Sequence, residues 1–97
     1  MIDLNKLGEK TYRNCIERKR IKRYMSHSQC AEGIGKEFVE FIGADEMRSS
    51  EHLPEYTEAE EELADLLICY MTELHRRGVD VEDIINKKIT FNENRIR

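Results

Sequence analysis

The sequence predicts an all-α protein, a four-helix bundle core whose apolar faces are completed by oligomerisation. Three observations predict it. Apolar residues recur at three- and four-residue steps along four stretches, which is the helical repeat and not the alternation of a strand. The chain has one proline, no tryptophan and few clustered β-branched residues, a composition poor in strand formers. Residues that start and stop helices stand where the apolar stripes begin and end. With 97 residues there is room for one domain, read as residues 1–97. A domain of this size buries a limited core, so association of copies is a natural source of further burial.

The first helix is expected over about Asp3 to Arg23. Leu4, Leu7, Cys15 and Ile16 form a loose apolar face, and Gly8 weakens it. The run Arg18-Lys19-Arg20-Ile21-Lys22-Arg23 then falls in the last turn, where the negative end of the helix dipole favours cations. Ser26 with Gln29 reads as a capping box that opens the second helix. Its stripe is Cys30, Ile34, Phe38, Phe41 and Ile42, and Gly43 is its expected stop. Residues 43–56 read as a polar connection, broken by Ser49, Ser50 and Pro54 and kept wet by Glu51, His52 and Glu55. Thr57 with Glu60 makes a second capping box. The third helix carries Ala59, Leu63, Leu66, Leu67, Tyr70 and Leu74 inward, then ends at Arg76-Arg77-Gly78. Asp80 caps the fourth helix, with Val79 and Ile84 placed for a hydrophobic staple.

Two matched acid pairs carry the chemistry. Glu37-Phe38-Val39-Glu40-Phe41-Ile42 and Glu62-Leu63-Ala64-Asp65-Leu66-Leu67 have the same build: an acid, two other residues, an acid, two apolar residues. Residues three apart are neighbours on a helix, so each pair presents two carboxylates on one flank. From Leu63 to Met71 the only charged residue is Asp65. A helix apolar on nearly every side is normally buried, and an ionised carboxylate there is costly unless it is paired or binds a metal. Either pair alone would fit an ordinary solvated helix edge. Together they point to a site where Glu37, Glu40, Glu62 and Asp65 are metal ligands. Mg²⁺ suits such ligands, with Mn²⁺ a possible substitute, and the lack of Cys or His in the acid pairs disfavours zinc.

Composition narrows the alternatives. Net charge is −4, which disfavours a general nucleic-acid coat. Three cysteines without Cys-x-x-Cys spacing make neither a disulfide framework nor a zinc motif. No secretory leader and no membrane-length apolar run is evident, so a cytoplasmic protein with no membrane partner is expected. A di-iron or di-manganese bundle would add Glu-x-x-His pairs, and the acid pairs lack them. The remaining alternative to an enzyme is a non-catalytic helical module for partner binding or regulation. Such a module would have no reason to set Asp65 inside an apolar run.

The two acid pairs, in this order and separated by a loop, resemble the acidic motifs of the MazG-like all-α nucleoside triphosphate pyrophosphohydrolases. The tail Lys88-Ile89-Thr90-Phe91-Asn92-Glu93-Asn94-Arg95 is similar to the lysine, asparagine and arginine pattern that closes short members. The turn Arg77-Gly78-Val79-Asp80-Val81-Glu82 is similar too. The resemblance covers about Ser26 to Arg97. One position departs: many members carry a second glutamate before the first motif, where this chain has Lys36. The resemblance implies a MazG-like bundle that holds Mg²⁺ on carboxylates from two helices. It also implies Mg-dependent cleavage of a (d)NTP to a (d)NMP and pyrophosphate, with house-cleaning of non-canonical nucleotides as one role open to it. Glu37 or Glu40 would orient or deprotonate the attacking water. Lys88 and Arg95 would neutralise phosphate charge and Asn92 would bond a phosphate or sugar oxygen, with Lys87 a weaker candidate. The partners expected are the nucleotide and further copies of the chain, as a homodimer or homotetramer.

Overall fold

A computed structural model describes residues 2–95; residues 1, 96 and 97, which the single-domain reading includes, lie outside the described residues. Four helices follow in order: α1 (Leu4–Glu17), α2 (His27–Gly43), α3 (Glu58–Arg76) and α4 (Val81–Arg95). Among the described residues there is no strand, only an isolated antiparallel bridge between Ser49 and Thr57. The architecture is all-α, consistent with the MazG-like helical fold. Among the described residues, no helix is long and apolar enough to cross a membrane. The chain divides into two compact units, residues 24–70 and residues 1–23 with 71–97.

In the second of these units α1 lies against α4. Asn5 joins them at one end. Its amide oxygen accepts from the Val81 backbone N–H at 2.7 Å, and its amide nitrogen donates to Asp80 Oδ1 at 3.0 Å. Asp80 in turn accepts from the Asp83 N–H, as expected of the cap. Gly8 is buried for a packing reason that its low helix propensity hides. A Cβ there would stand 3.4 Å from Val81 Cγ2, 3.6 Å from His75 Cβ and 3.6 Å from the Met71 carbonyl oxygen. A methyl would meet these atoms at ordinary contact distance, but a larger side chain would crowd the C-terminal turns of α3 and the fully buried Val81. Tyr12 tilts against His75 at 5.1 Å between ring centroids, and Cys15 Sγ meets Thr72 Oγ1 at 3.9 Å. Glu73 accepts from both Arg76 and Arg77.

The first helix is shorter than the sequence suggests. It ends at Glu17, and Lys19 takes a left-handed φ of 58°. The Arg20 N–H reaches back to the Cys15 carbonyl and the Lys19 N–H to that of Ile16, satisfying carbonyls left open at the helix end. The whole basic run 18–23 therefore follows the helix and is not its last turn. The other ends match their residues more closely. Both capping boxes are formed, Ser26 with Gln29 and Thr57 with Glu60. Gly78, at φ 73°, closes α3, where a left-handed turn favours glycine. Gly43 is the last residue of α2 itself and keeps a negative φ.

Burial departs from the sequence reading in the unit of residues 24–70. Leu66 and Cys30 are buried there, but Leu63, Leu67, Ile68 and Tyr70 on α3 and Phe38, Val39 and Ile42 on α2 are exposed. The apolar run around Asp65 is thus covered on one side only within a single chain.

Candidate metal and nucleotide site

The capping boxes begin α2 and α3 at defined residues, and the helical repeat sets which side chains share a face. Glu37 and Glu40 fall one turn apart on α2. Glu62 and Asp65 do so on α3. The fold brings three of the four together: one carboxylate oxygen each from Glu37, Glu40 and Glu62 lie within 4.8 Å of one another. Asp65, half-buried, is not a member of this trio, but its charge acts on Glu62. Glu37 is only 8% exposed and Glu40 is open to solvent.

Glu62 is the strained member. Its Oε2 is buried and accepts no hydrogen bond. Burial pushes its carboxyl above the usual range, and the charges of Asp65, Glu40, Glu37 and Glu61 push it in the same direction. A carboxylate is costly in such surroundings without a counter-charge. The donor set is made of carboxylate oxygens, and one of those is buried with no partner. It fits a hard divalent cation such as Mg²⁺ or Mn²⁺ and not a thiophilic metal.

The connection from α2 to α3 contributes a feature that the sequence reading missed. Residues 43–56 read as a wet, irregular loop, but the segment is tied down. Asp45 Oδ1 accepts from the Met47 and Arg48 N–H groups. Arg48 pairs with Glu58. Ser50, 2% exposed, accepts through its hydroxyl oxygen from the His52 and Leu53 N–H groups and donates to Glu61. The other oxygen of Glu61 lies 3.0 Å from His52 Nδ1. The Ser50 and His52 contacts hold the Glu61 carboxyl below its usual range, and Glu61 holds the His52 imidazole above its own. The signal available in the sequence was Glu61 standing beside Glu62. Its partners lie 11 and 9 residues away, and nothing local pairs them with it.

Lys88, Asn92 and Arg95 sit on α4, in the other unit, and are exposed. Lys88 Nζ lies 4.7 Å and the Arg95 guanidinium 5.6 Å from the centre of the Phe91 ring. That contact gathers two of the three phosphate candidates on one aromatic side chain. Lys87 instead pairs with Asp83 at 3.0 Å.

The family model for phosphoribosyl-ATP pyrophosphohydrolase matches residues 12–89 of the chain. No curated protein and no solved structure matches it. The matched stretch takes in both acid pairs, Ser50, His52, Glu61 and Lys88; Asn92 and Arg95 lie beyond it.

Proposed function

We infer the function from a family premise: the chain belongs to the phosphoribosyl-ATP pyrophosphohydrolase family, within the MazG-like all-α superfamily. It is accordingly a pyrophosphohydrolase, a hydrolase acting on acid anhydrides, and the non-catalytic module gives way. We propose that it cleaves a nucleotide triphosphate group between the α- and β-phosphates, releasing the monophosphate form and pyrophosphate. The observation that carries this reading is the carboxylate trio with a buried, unpartnered oxygen on Glu62. We also read residues 1–97 as one domain, since the family match runs without a break through both compact units.

In this proposal Glu37, Glu40, Glu62 and Asp65 hold Mg²⁺, and Mn²⁺ can replace it. When bound, the ion offsets the repulsion between acids and polyphosphate and polarises phosphate oxygens. The remaining work falls to side chains. Glu40, open to solvent, is better placed than buried Glu37 to accept a proton from the attacking water. Lys88 and Arg95 neutralise charge on the departing pyrophosphate, and Asn92 bonds a phosphate or sugar oxygen.

The family description names phosphoribosyl-ATP, which makes it the first substrate to test. Canonical and modified (d)NTPs are the second class, with house-cleaning of non-canonical nucleotides as the associated role. A cytoplasmic enzyme without nucleic-acid or membrane partners is the setting proposed. Assembly as a homodimer or homotetramer is supported by the exposed Val39 and Ile42 of α2 and Leu63 and Leu67 of α3, apolar side chains that a second copy would cover. The test is to incubate the protein with Mg²⁺ and a panel of phosphoribosyl-ATP and nucleoside triphosphates and to resolve the products. Monophosphate with pyrophosphate is expected. Diphosphate with orthophosphate, or no turnover across the panel, overturns the reading.

A further inference from the structure

The carboxylate site faces an electrostatic difficulty that the acid pairs do not solve. Between Tyr24 and Tyr70 acids far outnumber permanent cations, which are Lys36 and Arg48 alone. Lys36 lies 3.7 Å from Glu32, and Arg48 pairs with Glu58. A triphosphate approaching this unit needs a positive donor beyond whatever ion the carboxylates hold.

One side chain in the unit is built to supply it. His52 stands on the connection between α2 and α3, with its side chain 82% exposed. Its backbone is anchored, because the His52 N–H donates to the buried Ser50 hydroxyl. That hydroxyl is bound to Glu61, and Glu61 also takes the ring at Nδ1. A carboxylate can only accept, so Nδ1–H faces Glu61, and in the imidazolium that Glu61 favours Nε2 carries a second N–H turned away from it. Glu61 stands one helical turn before Asp65, so the ring is held on the side of α3 that carries Asp65. The negative charge of Asp65 reaches it as well.

We propose that His52 is a substrate-contact residue, its Nε2–H donating to a phosphate oxygen of the bound nucleotide. Glu61 and Ser50 are the positioning residues that hold the ring in place. This rests on the pyrophosphohydrolase reading and adds to it a side chain outside both acid pairs and outside the C-terminal cations. Its chemistry is that of a charge-assisted donor to a polyphosphate.

The test uses the intact chain with His52→Gln and Glu61→Gln variants, their folding checked by helical circular dichroism. Three quantities are read: KM against kcat for the best triphosphate substrate, inhibition by inorganic pyrophosphate, and the thermal shift produced by Mg²⁺ alone. For His52→Gln we expect KM to rise roughly tenfold, with pyrophosphate inhibition weakened by a similar factor, as for loss of about 1.4 kcal/mol of binding. The Mg²⁺ shift should stay at the wild-type value. Glu61→Gln should move KM in the same direction by a smaller factor. A wild-type enzyme that turns over normally while His52→Gln keeps KM and pyrophosphate inhibition within twofold overturns this proposal alone. A loss of the Mg²⁺ shift in His52→Gln also overturns it, since the ring would then act on the carboxylates. A wild-type protein with no turnover and no pyrophosphate binding overturns the underlying reading instead.

Discussion

In the unit of residues 24–70, Glu62 keeps a buried carboxylate oxygen that accepts no hydrogen bond. In the other unit, Asn5 uses both ends of its amide on the start of α4, and Glu73 closes on two arginines. The first arrangement leaves repulsion standing, because three acids share a space within 4.8 Å. The second pairs acceptors with donors. Marginal stability does not favour leaving a buried charge uncompensated unless something outside the chain compensates it. The contrast teaches where to look for function: the paired polar groups hold the chain together, and the unpaired oxygen of Glu62 marks the place where a cation would be favoured.

The sharpest way to break this contrast is Glu62→Gln. Activity should fall roughly 100-fold or more, beyond the 10–100-fold typical of removing a group that only orients a ligand. Without metal the variant should melt at a higher temperature than wild type, since a repelled carboxylate is gone. Mg²⁺ at about 100 times its dissociation constant should stabilise the wild type by about 2.7 kcal/mol and leave the variant almost unmoved. A variant with wild-type turnover and an undiminished Mg²⁺ shift would place the ion elsewhere.

Asn5→Ala probes the other unit. It removes a bridge to α4 and leaves Asp80 and the Val81 N–H without that partner, a cost of about 1–2 kcal/mol. For a domain of this size the melting temperature should fall by roughly 5–15 °C. The Mg²⁺ shift should be unchanged, and a change would mean that the units do not divide their roles as described. Gly8 gives a smaller, signed effect. Gly8→Ala gains about 1 kcal/mol of helix propensity with its methyl in ordinary contact 3.4 Å from Val81, so its melting temperature should rise by roughly 4–8 °C. Gly8→Leu should lower it, by about 1–3 kcal/mol of overpacking.

The smallest effect is one of sign. Glu62 is raised in the fold by burial first and neighbouring acids second, so its contribution to stability is present below its unfolded value and is lost as pH rises through the folded one. Asp80 is lowered, chiefly by the Asn5 amide and then the Asp83 N–H. Its contribution is present above its unfolded value, about 3.9, and is lost as pH falls through the folded one. Melting curves in EDTA should therefore respond in opposite ways. Glu62→Gln should flatten the loss on the rising side, and Asp80→Asn the loss on the acid side.

What the sequence determined by itself was local. Helix number, the capping boxes at Ser26 and Thr57, the Gly78 stop and the Asp80 cap are governed by backbone groups within four residues of the side chain that satisfies them. The acid pairs were legible for the same reason, because a three-residue step is a helical neighbour wherever the helix goes. What only the tertiary structure decided were contacts between distant residues. It placed Glu40 in the trio and left Asp65 beside it. It turned Gly8 from a weak helix residue into a point of close approach. It joined Ser50 and His52 to Glu61 across a loop that composition describes only as polar. These contacts depend on where two helices lie in space, and no periodicity of a single helix contains that information.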